Sequence, residues 1–257
     1  MKDWSFETLG SFGELTSSKR IYLSDYVSEG VPFYRSKEII EKAEGKTIND
    51  PLFIDKNKFE NIKSKFGAPM AGDILITAVG TLGVIYQVKE SDHFYFKDGN
   101  LIWLRNIKKG INRKYVYQLL KSNYGKGLLD ETAIGTSQPA YTIVNLKKIK
   151  LPLPLMHIQR KIAAVLSTYH DLIENNNRRI AILEKMAEEL YREWFVRLRF
   201  LGHEKVKIVK GVPEGWEVKR IGDILSFKYG YTESAIEDNQ YPKFLRVMDI
   251  NKGLANY

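Results

Sequence analysis

From residue 157 to residue 199 the chain contains neither proline nor glycine, the residues that most readily break helices, although it uses 8 Pro and 19 Gly in all. Within that stretch Ile162, Tyr169, Asn176, Leu183 and Leu190 recur every seven residues. Leu166, Ile173, Ile180, Ala187 and Trp194 recur with the same period, offset by four. The two rows form an a/d seam, which predicts one long helix of the coiled-coil type, roughly 60 Å long at about 1.5 Å per residue. A polar Asn176 on the seam is the kind of residue that sets register or strand number at a cost in stability. Leaving the nine apolar or aromatic seam residues wet forgoes about 10 kcal/mol, a quantity comparable to the net stability of a domain. No second long helical pattern occurs in the 257 residues. The seam therefore predicts a partner helix, from a second copy or another protein. The competing expectation is a helix folded back on its own domain.

Residues 1–150 have a different texture, with short apolar runs broken by turn residues. Residues 73–79 and 84–88 flank Gly80-Thr-Leu-Gly83 and read as strand, tight turn, strand. Residues 101–104 and 141–144 read as further strands, and about 113–122 as a helix, so the region is expected to be an α+β domain. At 151–155 the run Leu-Pro-Leu-Pro-Leu forbids regular helix and favours an extended segment.

Charge adds a partner class. Lys plus Arg is 40 against 31 for Asp plus Glu, a net +9 with an isoelectric point near 9.4. Residues 1–150 carry net +6, residues 151–200 net +2 and residues 201–257 net +1. Between Gly99 and Leu129 there are seven basic residues and no acid, interleaved with Tyr115, Tyr117 and Tyr124. Such a stretch suits phosphates and base edges, although Val116, Leu119 and Leu120 also allow a helix that packs one face on a core. With no cysteine, disulfides, thiolate metal sites and Cys nucleophiles are excluded. The first ten residues show no apolar h-region, and 74–88 is too short and Gly-rich to span a bilayer. A cytoplasmic protein with no membrane partner is expected.

After a charged linker the sequence echoes its own beginning. Trp4, Leu9 and Gly10 match Trp216, Ile221 and Gly222 at an offset of 212 residues, and Arg35, Glu38 and Ile39 match Arg246, Asp249 and Ile250 at an offset of 211. The implied unit is a domain followed by a long helix, of which the second copy is present only in its opening portion.

Domain, proline-marked strand, long helix and renewed domain together resemble the specificity subunit of type I restriction-modification enzymes. The most specific stretch is 147–163, with Pro152, Pro154, Gln159, Ile162 and Ala163. Residues 135–139 (Gly-Thr-Ser-Gln-Pro), Gly72 to Leu75 with Gly80 and Gly83, and Trp216 to Gly222 also look like family positions. The resemblance implies a non-catalytic subunit whose target recognition domain reads half of a split site in double-stranded DNA. It also implies helices that space the half-sites and dock methyltransferase (modification) subunits, which bring the S-adenosylmethionine chemistry, and a restriction/translocase subunit that can join. No cofactor of its own is implied. Family members usually carry two recognition domains and two such helices. The expected organisation here is a target recognition domain over 1–155, the long helix over 156–201, and a linker with an incomplete second recognition domain over 202–257. A half-length subunit of this kind is expected to pair with a second copy of itself through the helix.

The expected base-reading residues are Arg35, Lys37, Thr77, Thr81, Thr136, Ser137, Gln138 and Tyr141, since Arg suits guanine and Gln suits adenine. For Gln138 the alternative is a loop-closing hydrogen bond before Pro139. Lys109, Arg113, Lys114, Lys121 and Lys126 are the phosphate candidates. Catalytic constellations are weak. Asp73 with Gln87 and Lys89 loosely echoes a nuclease pattern, but a neutral Gln is a poor Mg²⁺ ligand. No Asn/Asp-Pro-Pro-aromatic segment of an amino methyltransferase is found. His93, His157, His170 and His203 are scattered, and the Gly80 turn lacks the Lys-Ser/Thr of a phosphate loop. The remaining alternative is a protein-interaction module, such as a silent cassette product, whose helix binds partners without reading DNA.

Overall fold

The apolar runs on either side of Gly80 and Gly83 form a hairpin at the centre of the first domain. In the computed structural model, which describes residues 4–230, the chain opens with β1 (Ser5–Thr8), the one-turn helix α1 (Leu9–Phe12) and β2 (Glu14–Thr16). Next come β3 (Tyr26–Val27), β4 (Val31–Tyr34), α2 (Ser36–Ala43), β5 (Leu52–Ile54) and α3 (Lys56–Phe66). The hairpin β6 (Ile74–Thr77) and β7 (Ile85–Gln87) precedes β8 (Tyr95–Phe96) and β9 (Leu101–Arg105). Three helices follow, α4 (Arg113–Lys121), α5 (Asn123–Asp130) and α6 (Ile143–Leu146), and then β10 (Lys150–Leu153) and the long α7 (Met156–Tyr191).

One antiparallel sheet has the order β2-β9-β6-β7. Its strands are apolar on both faces. Ile74, Ile76, Ile85, Ile102 and Leu104 enter a core shared with α1, α4, α5, β10 and the start of α7, while Leu75, Tyr86, Leu101 and Trp103 enter a second core under α2. Burial on both faces explains why β6 reads as an unbroken apolar run. The second sheet, β3-β5-β4-β8, contains one parallel pair, β4 with β8, and packs on α3 through Phe59 and Ile62.

The proline-marked segment is extended, and it pairs antiparallel with the first strand, setting Pro152 opposite Phe6. Pro152 has no N–H to place, and its carbonyl accepts from the Tyr115 hydroxyl at 2.8 Å. The domain thus closes on itself just before the long helix leaves it. Residues 141–144 differ from expectation. They form no strand. Thr142 turns outward as an N-cap, its hydroxyl accepting from the Asn145 N–H at 3.2 Å, and α6 begins. Local capping prevails there over β-branched propensity.

Helix α7 spans 36 residues, about 54 Å. Its first half lies on the domain through Gln159, Ala163, Ser167, His170 and Glu174, a stripe at spacings of three and four. Gln159 is 1% exposed. Its Oε1 accepts from the Asn112 N–H at 2.8 Å, and its Nε2 donates to the carbonyls of Pro154 (2.8 Å) and Gly110 (3.3 Å). Further along, the His170 ring stands edge-on to Tyr117, and Lys89 pairs with Glu174 at 2.5 Å. The heptad seam is a different stripe. Ile162 packs partly against the core, but Leu166, Tyr169, Ile173, Ile180, Leu183 and Leu190 are exposed by 42–63%. Folding back on the domain therefore accounts for one face of half the helix and leaves the seam uncovered.

The chain divides into two units, one ending at Glu188 and the next beginning at Glu189, so most of the helix goes with the recognition-sized domain. In the second unit Tyr191, Trp194, Phe195, Phe200 and Trp216 form an aromatic cluster. The two-residue strands β11 (Ile208–Val209) and β12 (Val212–Pro213) are joined through Lys210 and Gly211, both at positive φ. Helix α8 (Ile221–Ile224) begins 212 residues after α1, at the spacing of the sequence repeat. Leu9 and Phe12 of α1 are fully buried, whereas Ile221 and Ile224 are exposed. The second half of the repeat, Arg246 to Ile250, lies outside the described residues.

Two stability measurements probe the helix docking. Gln159→Ala leaves the Asn112 N–H and two carbonyls without their partner, and is expected to lower the unfolding free energy in urea by roughly 2–4 kcal/mol. His170 is held below its usual value of 6.5, by burial first and then by the Lys121 ammonium, with Glu174 and Asp171 acting in the opposite sense. The folded state therefore favours the neutral ring, and the stability this gives is lost as pH falls below the unfolded value toward the depressed folded one. His170→Gln is expected to flatten the decline in unfolding free energy between about pH 7 and pH 5.

Candidate nucleic-acid interface

Two exposed turns meet at one end of the central sheet. The β6–β7 turn carries Thr81, and the loop after α5 carries Thr136, Ser137 and Gln138, all exposed. Bridges from Ala140 to Val79 and to Ile134 hold the turns side by side. Gly135 sits at φ 93°, and a Cβ there would lie 2.9 Å from the Gln138 carbonyl oxygen, so the loop needs glycine at that point. Of the eight expected base-reading residues, these four form one group.

Two others are corrected. Thr77 is fully buried, and its hydroxyl accepts from the Val84 N–H at 2.9 Å. Tyr141 is buried in the main core and donates to Asp130 at 2.5 Å. Burial, reinforced by the Asp130 carboxylate, pushes the Tyr141 phenol well above its usual range. Both side chains frame the turns and have no face left for a ligand. Arg35 and Lys37 belong to the α2 end, and α2 packs on the opposite face of the central sheet from Tyr141. Arg35 is engaged there, reaching Glu38 at 2.6 Å. Burial works against the Glu38 charge, but the Arg35 guanidinium and backbone N–H outweigh it and keep that carboxyl below its usual value. Lys37 is exposed, 3.8 Å from Glu41.

Helix α4 is two-faced, as its sequence allowed, with an apolar side in the core and a basic side in solvent. Tyr115, Val116, Tyr117 and Leu120 are buried, and Arg113, Lys114 and Lys121 are exposed. Asn112 caps the helix, accepting from the Tyr115 N–H at 3.0 Å. Lys109 before the helix and Lys126 on α5 are exposed as well. Arg113 is steered by a hydrogen bond to the Ala71 carbonyl at 3.1 Å. Lys121 lies 3.3 Å from the Tyr117 hydroxyl, and although the residue is exposed, partial desolvation of its ammonium against the domain lowers its pKa, with Glu174 opposing. Arg113, Lys114 and Lys121 line a cleft of about 670 Å³ between α4, the end of β7 and α7. A second cleft, of about 820 Å³, runs between α3, the following turn and the β2–β9 edge, and Arg113 borders it too. Lys19, Lys63, Lys65 and the half-exposed Phe66 line that cleft. Sequence reading missed this surface. Its signal was a helix with lysines at 56, 58, 63 and 65 against one glutamate.

Asp73 does not stand as a nuclease carboxylate. It is buried, accepting from the Met70 N–H (3.0 Å) and the Trp103 indole N–H (2.9 Å), and burial raises its pKa. Lys89 is paired with Glu174. Among the described residues no three His, Cys, Asp or Glu side chains group as metal ligands.

The fold is thus a mixed sheet-and-helix domain closed by its first strand, with two basic clefts and a long helix whose seam is exposed. Residues 1–185 match the type I restriction modification DNA specificity domain, and the chain belongs to that family. It is 29% identical to the type I restriction enzyme MjaIX specificity subunit of Methanocaldococcus jannaschii over 99% of this chain and 60% of that protein. It is 25% identical to the MjaVIII specificity subunit of the same organism over 89% of this chain and 51% of that one. The chain therefore spans half to three-fifths of these relatives' length. In fold it is similar to the crystal structure of the S subunit of a type I restriction-modification system from M. genitalium, with a TM-score of 0.54 at 20% identity, over 76% of this chain and 46% of that one.

The burial of Tyr141 can be tested directly. Tyr141→Phe removes the bond to Asp130 and is expected to lower the unfolding free energy in urea by about 1 kcal/mol.

Proposed function

We propose that this chain is the DNA sequence-reading subunit of a type I restriction-modification assembly, working in the cytoplasm without catalytic residues of its own. The observation that carries this reading is the family match over residues 1–185, which takes in the whole first domain and most of the long helix. Base readout falls to the exposed turns with Thr81, Thr136, Ser137 and Gln138, and to Lys37 and Arg35 where the latter exchanges its Glu38 pairing. Lys109, Arg113, Lys114, Lys121 and Lys126 hold phosphates. The helix docks methyltransferase subunits, which a restriction subunit can join.

A second copy covers the seam. An antiparallel pair with its two-fold axis at residue 178 sets Leu166 against Leu190, Tyr169 against Ala187, Ile173 against Leu183 and Asn176 against Ile180. Each such layer occurs twice, and the large Tyr169 meets the small Ala187. The domain grips a different stripe of α7, so the two uses are compatible. Two recognition domains then read the same half-site in inverted orientation, and about 54 Å of helix covers roughly one and a half turns of duplex.

Three measurements test this reading. Co-expression with a cognate methyltransferase followed by mapping of methylated sites is expected to return a split palindrome. An asymmetric motif would overturn the pairing, and no methylation would overturn the role. Gln138→Ala or Thr81→Ala is expected to change the methylated sequence, whereas Lys109→Ala with Lys126→Ala is expected to weaken binding to all sequences and flatten its salt dependence. In solution the chain is expected to be a dimer at micromolar concentration, and Ile173→Lys with Leu183→Lys to make it a monomer.

A further inference from the structure

The cleft beside α3 has an unbalanced set of charges. Each of its acids already has partners within the protein, Glu14 at the surface and Asp73 and Asp92 in the interior. Glu14 accepts two hydrogen bonds from Arg105, at 2.8 and 3.0 Å, and a third from Asn106. Asp73 is buried against Trp103, and Asp92 is held by Lys42 and the Tyr86 hydroxyl. Of its five Lys and Arg residues, Arg105 is spent on Glu14 and Lys63 pairs with Glu60 at 3.3 Å, which leaves Lys19, Lys65 and Arg113. Lys65 is exposed with no acidic partner among the described residues. Lys19 has its ammonium 4.5 Å above the ring of Phe66 and likewise lacks an acidic partner among them. Arg113 reaches in from α4, hydrogen-bonded to the Ala71 carbonyl and with no ion pair among the described residues.

The apolar part of the cleft is also left open. Phe66 is 45% exposed and Met70 71% exposed, beside those three cations. Phe66 is held in place, because Arg105 donates to its carbonyl at 2.5 Å and Gly67, at φ 85°, ends the helix directly after it. Gly67 has φ 85° and ψ 167°, a backbone region essentially restricted to glycine, which lets the chain turn sharply beside the Arg105 guanidinium. Unspent cations around a fixed, exposed ring form the surface that a sugar-phosphate chain fits, with charge for the phosphates and an apolar face for the sugar.

We propose that the α3 cleft is a second phosphate-binding seat for duplex DNA, in which Lys19, Lys65 and Arg113 contact backbone phosphates and Phe66 packs on the sugar between them. Through Arg113 it is continuous with the basic face of α4, which makes one contact surface of the two. The proposal rests on the DNA-reading role proposed above.

The test uses the full chain and a 30-base-pair duplex, with affinity measured across a salt series. For the unsubstituted chain, log affinity is expected to fall linearly with log salt. Lys19→Gln with Lys65→Gln is expected to reduce that slope by about 1.8, at ~0.9 per phosphate lost, with an unchanged thermal midpoint. Lys19→Arg with Lys65→Arg is expected to retain the slope. If the double Gln variant melts early, Lys65→Gln alone replaces it, with an expected reduction of about 0.9. An unchanged slope in a folded Gln variant, beside a salt-dependent parent, overturns the cleft and leaves the DNA-reading role standing. A parent that shows no salt-dependent binding overturns that role and the cleft with it.

Discussion

A single buried amide organises the junction on which the rest of this protein depends. Gln159 sits in the first turns of the long helix and satisfies Asn112, Gly110 and Pro154 together. Those three partners belong to the start of the basic helix, the loop before it and the end of the closing strand. An unpaired amide or carbonyl in that position carries a desolvation penalty, so the three segments are held in one arrangement. The direction in which the long helix leaves the domain follows from it. So does the placement of α4, whose cap Asn112 is one of the partners.

The long helix then presents two faces with different tasks. The stripe through Ala163, His170 and Glu174 is used by the domain, and its polar members are satisfied by Tyr117 and Lys89. The seam through Leu166, Ile173, Ile180 and Leu183 is exposed. The two stripes are offset around the helix, so docking to the domain takes only Ile162 from the seam and leaves the rest from Leu166 to Leu190 exposed. This geometry shows the helix packed at home along one stripe while leaving room for the proposed pairing along the other.

Much of the fold was legible because its signals are local. The Gly80–Gly83 turn, the apolar runs beside it, the amphipathic α4 and the prolines before the long helix each act over a few residues. The 212-residue repeat is a pattern of the sequence, and within the described residues its counterpart is the equal spacing of the short helices α1 and α8. Residues 141–144 failed for a local reason as well, since the Thr142 cap overrode an apolar run. The site was less legible. Thr77 and Tyr141 carry polar groups that suit a base edge, yet both spend them inside the protein. Arg35 spends its charge on Glu38. The lysines of α3 were passed over because the seven basic residues between Gly99 and Leu129 formed the more obvious run.

By itself, the sequence determined the central hairpin, the amphipathic α4, the long helix with its heptad seam and the excess of positive charge, because periodicity and composition are properties of the chain. It also carried the family resemblance. Tertiary structure decided which stripe of the helix the domain takes, which acids are neutralised internally and which lysines remain unspent. Those outcomes depend on pairs distant in sequence, such as Gln159 with Asn112, Arg105 with Glu14 and Lys89 with Glu174. No local pattern specifies such pairs, because each is set by the closure of the whole domain.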